Sequence, residues 1–250
     1  MKKNIIVFFI LFIVSALQAQ ELTVEYNFGY GKYCMRDLRY FLKENNSFSS
    51  GRELKNLKVT DNFPGNWMHQ LKLGIELRRS HNIGVSIDFM NTAGQKALSD
   101  YSGSYNFTYR TNGKRMGLYY RISPYSWFPG IIQPYFMLTA GVVFSDNRIV
   151  EKFVVYDELI LDEKMSLKGI GSFAEPSLGC KIRLHENFAL NLNVGYHFDF
   201  DMVVFEYDLE KSSMINTNDV PIWGGNAYDM PVWSGLRFQG GVIFYFSWNR

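Results

Sequence analysis

Asn187–Asp201 reads NFALNLNVGYHFDFD, and its residues fall into two strictly alternating sets. Phe188, Leu190, Leu192, Val194, Tyr196, Phe198 and Phe200 form one set. Asn187, Ala189, Asn191, Asn193, Gly195, His197, Asp199 and Asp201 form the other. Side chains on a strand alternate between faces, so this segment carries a continuous apolar face opposite a polar one. Strands of soluble sheets usually have about five or six residues. This face is longer and suits the roughly 9 to 11 residues that a tilted strand needs to cross a bilayer. The stretch predicts a strand with lipid on one side.

Working outward, the same pattern recurs. Leu22 to Tyr30, His69 to Leu77, Ile83 to Phe89, Met116 to Ile122, Ile132 to Phe144, Ile170 to Leu184 and Leu236 to Trp248 each set apolar residues against polar or small ones. With the opening stretch, this predicts eight strands. Short turns are expected at Ser80-His81, Ser126 to Gly130 and His185-Glu186, and long inserts at 31–66, 92–113, 146–168 and 202–233, the first with a short helix around Asp37 to Glu44. Asn112-Gly113 is a strong hairpin dipeptide preceded by the alternating Tyr105, Phe107 and Tyr109. It leaves a ten-stranded count open.

The first residues have the order of a secretory signal peptide. Lys2 and Lys3 precede an apolar run from Ile5 to Val14, then Ser15-Ala16-Leu17-Gln18-Ala19. Residues 1–19 are expected to be removed, leaving one barrel domain over 20–250 with four long extracellular loops. Of 26 basic residues the leader takes two, so 24 remain against 24 acidic ones. A near-neutral chain gives no sign of a nucleic-acid partner. No later apolar run is long enough for a helical span. Mean hydropathy is −0.13 although aromatics make up 17% of residues, as expected when apolar and polar residues alternate. Cys34 and Cys180 are expected near opposite rims, too far apart to bridge.

Charge decides which face is wet. The polar face carries Glu25, Lys72, Glu76, Arg78, Asp88, Arg115, Arg121, Glu175, Lys181, Arg183, Asp199 and Arg237, while the other carries almost none. Water against the second face would meet a continuous apolar belt far larger than soluble monomers expose. Lipid is therefore expected outside. Eight strands enclose a lumen just wide enough for side chains to fill, so these charges are expected to pair in a structural network.

With these residues in view, the chain resembles small outer-membrane β-barrels of the OmpA transmembrane-domain and OmpX type. The resemblance rests on the leader, the dyad strands, the alternation of short and long connections, and a closing strand that sets Val242, Phe244, Phe246 and Trp248 on one face. It implies an all-β, antiparallel up-and-down barrel in the bacterial outer membrane. No periplasmic peptidoglycan-binding domain is expected to follow. Outer-membrane lipid and lipopolysaccharide would surround it, with an envelope or surface protein as a further partner.

Catalysis has weak candidates. His197 and Asp199 share the inner face near its outer end, where His-Asp general-base chemistry on water can be imagined, as in omptin-type proteases. His69 is read as an interfacial residue, and His81 and His185 fall in turns. Asp199 and Asp201 supply too few oxygens for calcium, so no metal or cofactor is expected. The expected function is a non-enzymatic barrel whose loops carry surface interactions, with Tyr40, Phe41, Tyr207, Trp223, Tyr228 and Trp233 as contact candidates. A small-solute channel is the alternative, and a surface hydrolase the next.

Overall fold

A computed structural model describes residues 21–44, 58–77, 80–127, 131–213 and 231–247. Their elements are β1 (Glu21–Tyr33), α1 (Arg36–Glu44), β2 (Lys58–Asn62), β3 (Asn66–Leu77), β4 (His81–Asp100), β5 (Gly103–Ile122), β6 (Ile132–Val155), β7 (Glu158–His185), β8 (Phe188–Ser213) and β9 (Gly235–Ser247). Each long strand pairs antiparallel with its neighbours, and β1 pairs with both β3 and β9. The hydrogen bonds thus close a ring of eight strands, β1 and β3 to β9. Closure leaves no free edge within the membrane, the condition a spanning sheet must meet. Residues 1–20, including the expected leader, lie outside the described residues, as do Arg78, Trp223, Tyr228 and Trp248.

β2 is not a ninth stave. It pairs with β4 through Lys58↔Ala97 and Asn62↔Gly94, directly above the point where β3 takes over at His69↔Phe89. β2 and β3 therefore form one stave interrupted at Phe63–Gly65. Phe63 has a φ of 46°, and the break turns its ring into the lumen, where it is 1% exposed.

Outward residues at one level form an apolar belt. Leu118, Tyr120, Ile83, Val85, Phe89, Leu178, Leu192, Phe198, Phe238 and Phe246 are all substantially exposed. Trp67 stands at its outer edge and stacks on Phe28 at 4.8 Å; Trp127 is exposed at the opposite rim. His69 is exposed on the outer face, where its ring nitrogen and the Tyr26 hydroxyl are hydrogen-bonded at 2.8 Å. Cys34 and Cys180 are both free.

The expected inserts at 92–113 and 146–168 are instead paired strand. β4 and β5 stay in register from His81↔Ile122 to Asp100↔Gly103, and β6 and β7 run on to Val155↔Glu158. Asn112 and Gly113 sit in mid-strand opposite Asn91 and Met90, so they make no hairpin and the ten-stranded count falls away. The reversals come later, at Tyr101-Ser102 and at Tyr156-Asp157. The latter pair has φ values of 47° and 65°, as a type I′ turn requires. At 28 residues, β7 is more than twice the roughly 9 to 11 needed to cross a bilayer. More than half of it stands clear of the membrane. The first twelve residues of the expected insert at 202–233 are likewise strand, since β8 extends to Ser213.

The protruding half encloses an apolar core built from Tyr33, Met35, Leu38, Leu42, Phe63, Met90, Tyr105, Phe107, Tyr109, Ile149, Leu161, Met165, Leu167, Phe173 and Trp233. Helix α1 contributes Leu38 and Leu42, four residues apart and so on one face, while Tyr40 points to solvent at 66% exposure. Arg39 Nη2 donates to the carbonyls of Tyr33 (3.2 Å) and Phe63 (2.9 Å), tying the helix to the interrupted stave. Gly94 makes the close approach possible. A Cβ there would lie 2.3 Å from Leu42 and 2.6 Å from the Phe63 ring.

Candidate functional site

The lumen at belt level is filled by charged side chains in three tiers. Near the inner rim, Arg183 donates to Glu21 at 2.8 Å and lies over the Tyr245 ring at 4.4 Å, while Lys181 reaches Glu76 at 3.4 Å. Alternation aims these side chains inward from four strands at once, which is why separate stretches of sequence meet here.

The middle tier is centred on Glu25. Its carboxylate receives Lys72 at 3.1 Å and Arg121, and also the amides of Asn27 (2.6 Å) and Asn191 (2.9 Å). The Arg121 guanidinium stacks over the Tyr135 ring at 4.6 Å, and the Tyr135 hydroxyl donates to Asn191 at 2.7 Å. Oε1 takes Lys72 and the two amides and Oε2 takes Arg121, so both carboxylate oxygens are engaged, as a charge removed from water demands.

The third tier lies at the outer end of the belt. Arg115 Nε donates to Asp88 at 2.5 Å, its Nη1 reaches Glu175 and His197, and its plane lies 4.3 Å from the Phe173 ring. Arg237 bonds the same Glu175 and approaches Asp88 at 3.5 Å. A guanidinium can only donate, so His197 Nδ1 accepts from Arg115, and the proton on Nε2 is directed to Asp199 at 2.5 Å. Asp199 also accepts from the Trp233 backbone N–H, and its own N–H donates to Ser234 at 2.9 Å. The tier therefore joins the barrel wall to the segment that leads into β9.

Of the charges expected on the inner face, Glu25, Lys72, Glu76, Asp88, Arg115, Arg121, Glu175, Lys181, Arg183, Asp199 and Arg237 all take part in these contacts. His197 and Asp199 are brought together, but as members of the third tier. His197 is fully buried, between Arg115, Asp199 and the Phe173 ring at 5.0 Å. The Ser234 hydroxyl meets the pair at the backbone, accepting from the Asp199 N–H, while the two ring nitrogens of His197 face Arg115 and Asp199. Among the described residues, no group of three or more His, Cys, Asp and Glu side chains could hold a metal.

Trp233 corrects one expectation. It stands inside the barrel at 0% exposure, edge-on to Tyr33 at 5.0 Å, and offers no contact surface. The segment 231–234 is drawn inward by the bonds Cys34 N–H to Ser234 O (2.7 Å) and Met35 N–H to Val232 O. Tyr40 is exposed as expected, whereas the side chains of Phe41 and Tyr207 lie outside the described residues. The sequence reading missed Glu21, whose partner is 162 residues away, and the stacking roles of Tyr135, Phe173 and Tyr245. Their inward phase was legible; their facing cations, on other strands, were not.

No family model matches the chain, and no curated protein matches it in sequence. Solved structures do. The outer membrane protein OprG from Pseudomonas aeruginosa is 13% identical, covers 92% of this chain and 97% of its own, and has a TM-score of 0.44. CarO2 from Acinetobacter baumannii is 10% identical over 92% and 100% of the two chains, with a TM-score of 0.37. Ail, the attachment invasion locus protein of Yersinia pestis, is 14% identical over 92% and 99%, with a TM-score of 0.33. Each is a likeness of architecture alone.

Proposed function

We propose that the chain is a closed, non-enzymatic barrel of the bacterial outer membrane, exported by its leader, whose protruding half serves as a rigid surface for adhesion or for docking to another envelope protein. The observation that carries this reading is the sealed cross-section: Lys72, Arg115 and Arg237 are 0% exposed and Arg121 1%. Stacked ion pairs and then an apolar core stand between the two ends of the lumen, so a solute would have to break several buried pairs to pass. The contact surface is then the outside of the protruding half and its hairpin tips. Tyr101 and Tyr156, exposed at 96% and 73%, join Tyr40 as candidate contacts.

Conductance of the refolded chain in a planar bilayer tests the reading, with heat-modifiable gel mobility as the control for folding. A folded barrel is expected to pass no steady current. A stable, ion-selective current would overturn the closed reading in favour of a small-solute channel, with Arg115, Glu76 and Arg121 lining the path.

A further inference from the structure

Strand register sorts the outward charges of the protruding half into two groups. Lys152 lies opposite Asp162, Lys168 opposite Asp146 and Glu206, and Lys164 opposite Glu210. Each of these lysines has a carboxylate residue as a cross-strand partner. Among the described residues of β5 and β6, three exposed basic residues do not. Arg110 faces Ala93 and Arg148, Lys114 faces Phe89 and Phe144, and the second partner of Arg148 is Ser166. All three are exposed. Like charges directly opposite on one sheet face destabilise it, so Arg110 and Arg148 are a local cost that an anion would remove. The nearest carboxylate residue in the register is Asp146, two residues from Arg148 on the same face; it lies opposite Asn112, between Arg110 and Lys114, on one side and opposite Lys168 on the other, so one carboxylate stands among four basic residues.

Their height on the barrel says which anion. Lys114 is the last polar outward residue before the belt on β5; Met116, 52% exposed, follows on the same face, and Phe89 and Phe144 flank Lys114 at 50% and 38%. Arg110 stands four residues further out, roughly 13 Å along the strand. The cluster therefore spans the boundary between acyl chains and water. Long basic side chains there can lay their stems on the apolar rim and reach the headgroup layer. Guanidinium forks suit phosphate oxygens bidentately, and an ammonium adds a compact charge.

We propose that Arg110, Lys114 and Arg148 bind the phosphate groups of an outer-leaflet glycolipid that carries more than one phosphate, with its acyl chains lying over Met116, Leu118 and Phe144. This rests on the outer-membrane reading above, with the long hairpins outside the cell.

The test uses the refolded mature chain in zwitterionic detergent, titrated with a bisphosphorylated, hexa-acylated glucosamine disaccharide and with the same lipid dephosphorylated. The unaltered chain is expected to prefer the bisphosphorylated lipid by at least about tenfold, the effect of one or two charge-assisted contacts. Combined Arg110→Gln, Lys114→Gln and Arg148→Gln is expected to abolish the preference; combined Lys152→Gln and Lys164→Gln is expected to keep it. A folded triple variant that retains the preference, or an unaltered chain that shows none, overturns the site. Full competition by a soluble polysulfated sugar at equal concentration overturns the lipid as its source. Failure of the outer-membrane reading is visible separately, as loss of the heat-modifiable folded form in the unaltered chain.

Discussion

The membrane half of the barrel and the half that stands above it share strands but have opposite interiors. From Arg115 down on β5, apolar residues face outward and Arg115, Tyr119 and Arg121 face inward; above it, Lys114, Asn112 and Arg110 face outward and Tyr109, Phe107 and Tyr105 inward. β7 inverts in the same way, from Glu175 and Lys181 inside to Leu167, Met165 and Leu161 inside. The strand is continuous; the solvent outside it changes. Where lipid is outside, polar residues must find one another in the lumen, and where water is outside, the hydrophobic effect fills the lumen instead. The lower half resembles a soluble protein turned inside out, and the upper half is an ordinary one.

The two interiors should fail differently. Arg115→Ala is expected to have the largest effect, about 3–5 kcal/mol, because it leaves Asp88 and Glu175 facing each other in a buried site with Arg237 as their remaining cation. Urea unfolding in lipid vesicles measures it. A cost below about 1 kcal/mol would mean that water already reaches the tier. Leu167→Ala in the upper core is expected to cost about 2–5 kcal/mol, the range for a buried aliphatic truncation. Its signature is local: protease should cut the protruding half while the membrane half keeps its heat-modifiable mobility. Loss of both halves together would show that they fold as one cooperative unit.

The exteriors can be compared directly. Leu118, 56% exposed within the belt, should tolerate lysine poorly, with Leu118→Lys costing about 2–4 kcal/mol in vesicles. Ser104→Leu, outward on the same strand in the upper half, is expected to stay within about 0.5 kcal/mol. Equal costs at the two positions would remove the boundary drawn between the halves.

That boundary also explains what was legible in the sequence. A dyad with apolar residues on one parity names a membrane strand, and Asn187–Asp201 shows one clearly enough to predict the ring, its direction and the inward charges. The upper halves of the strands keep the dyad but reverse its phase, so Tyr105, Phe107 and Tyr109 belong to the face that carries Arg115 and Arg121. A pattern tuned to lipid reads that reversal as an ending, and 92–113 and 146–168 consequently read as inserts. Pairings in the lumen were illegible for another reason. Alternation says that Glu21, Glu25 and Glu76 point inward, but the choice of Arg183, Arg121 and Lys181 as partners depends on barrel shear and on how far each side chain reaches across the lumen. Trp233 was misplaced because its position follows from backbone bonds to Cys34 and Met35, distant in sequence.

The smallest effect lies at the far tip of the upper half, where no core contributes. Asp100 Oδ1 accepts from the Ser102 hydroxyl (2.7 Å), the Ser102 N–H (2.8 Å) and the Gly103 N–H (3.1 Å), closing the β4–β5 turn. The Ser102 hydroxyl, then its amide, hold the carboxyl below its usual range. A carboxylate whose folded pKa is depressed contributes turn stability above its unfolded pKa of about 3.9 and loses it as pH falls through the folded value. Amide exchange at Ser102 and Gly103 should therefore accelerate, relative to the intrinsic rate, as the medium is acidified below about pH 4. In Asp100→Ala, exchange should be fast at every pH and lose that dependence, with the rest of the β4–β5 ladder unchanged. If acid instead loosens the ladder down to Asp88↔Arg115, the halves are coupled through β4, and the upper half is an extension of the membrane barrel rather than a separable core raised above it.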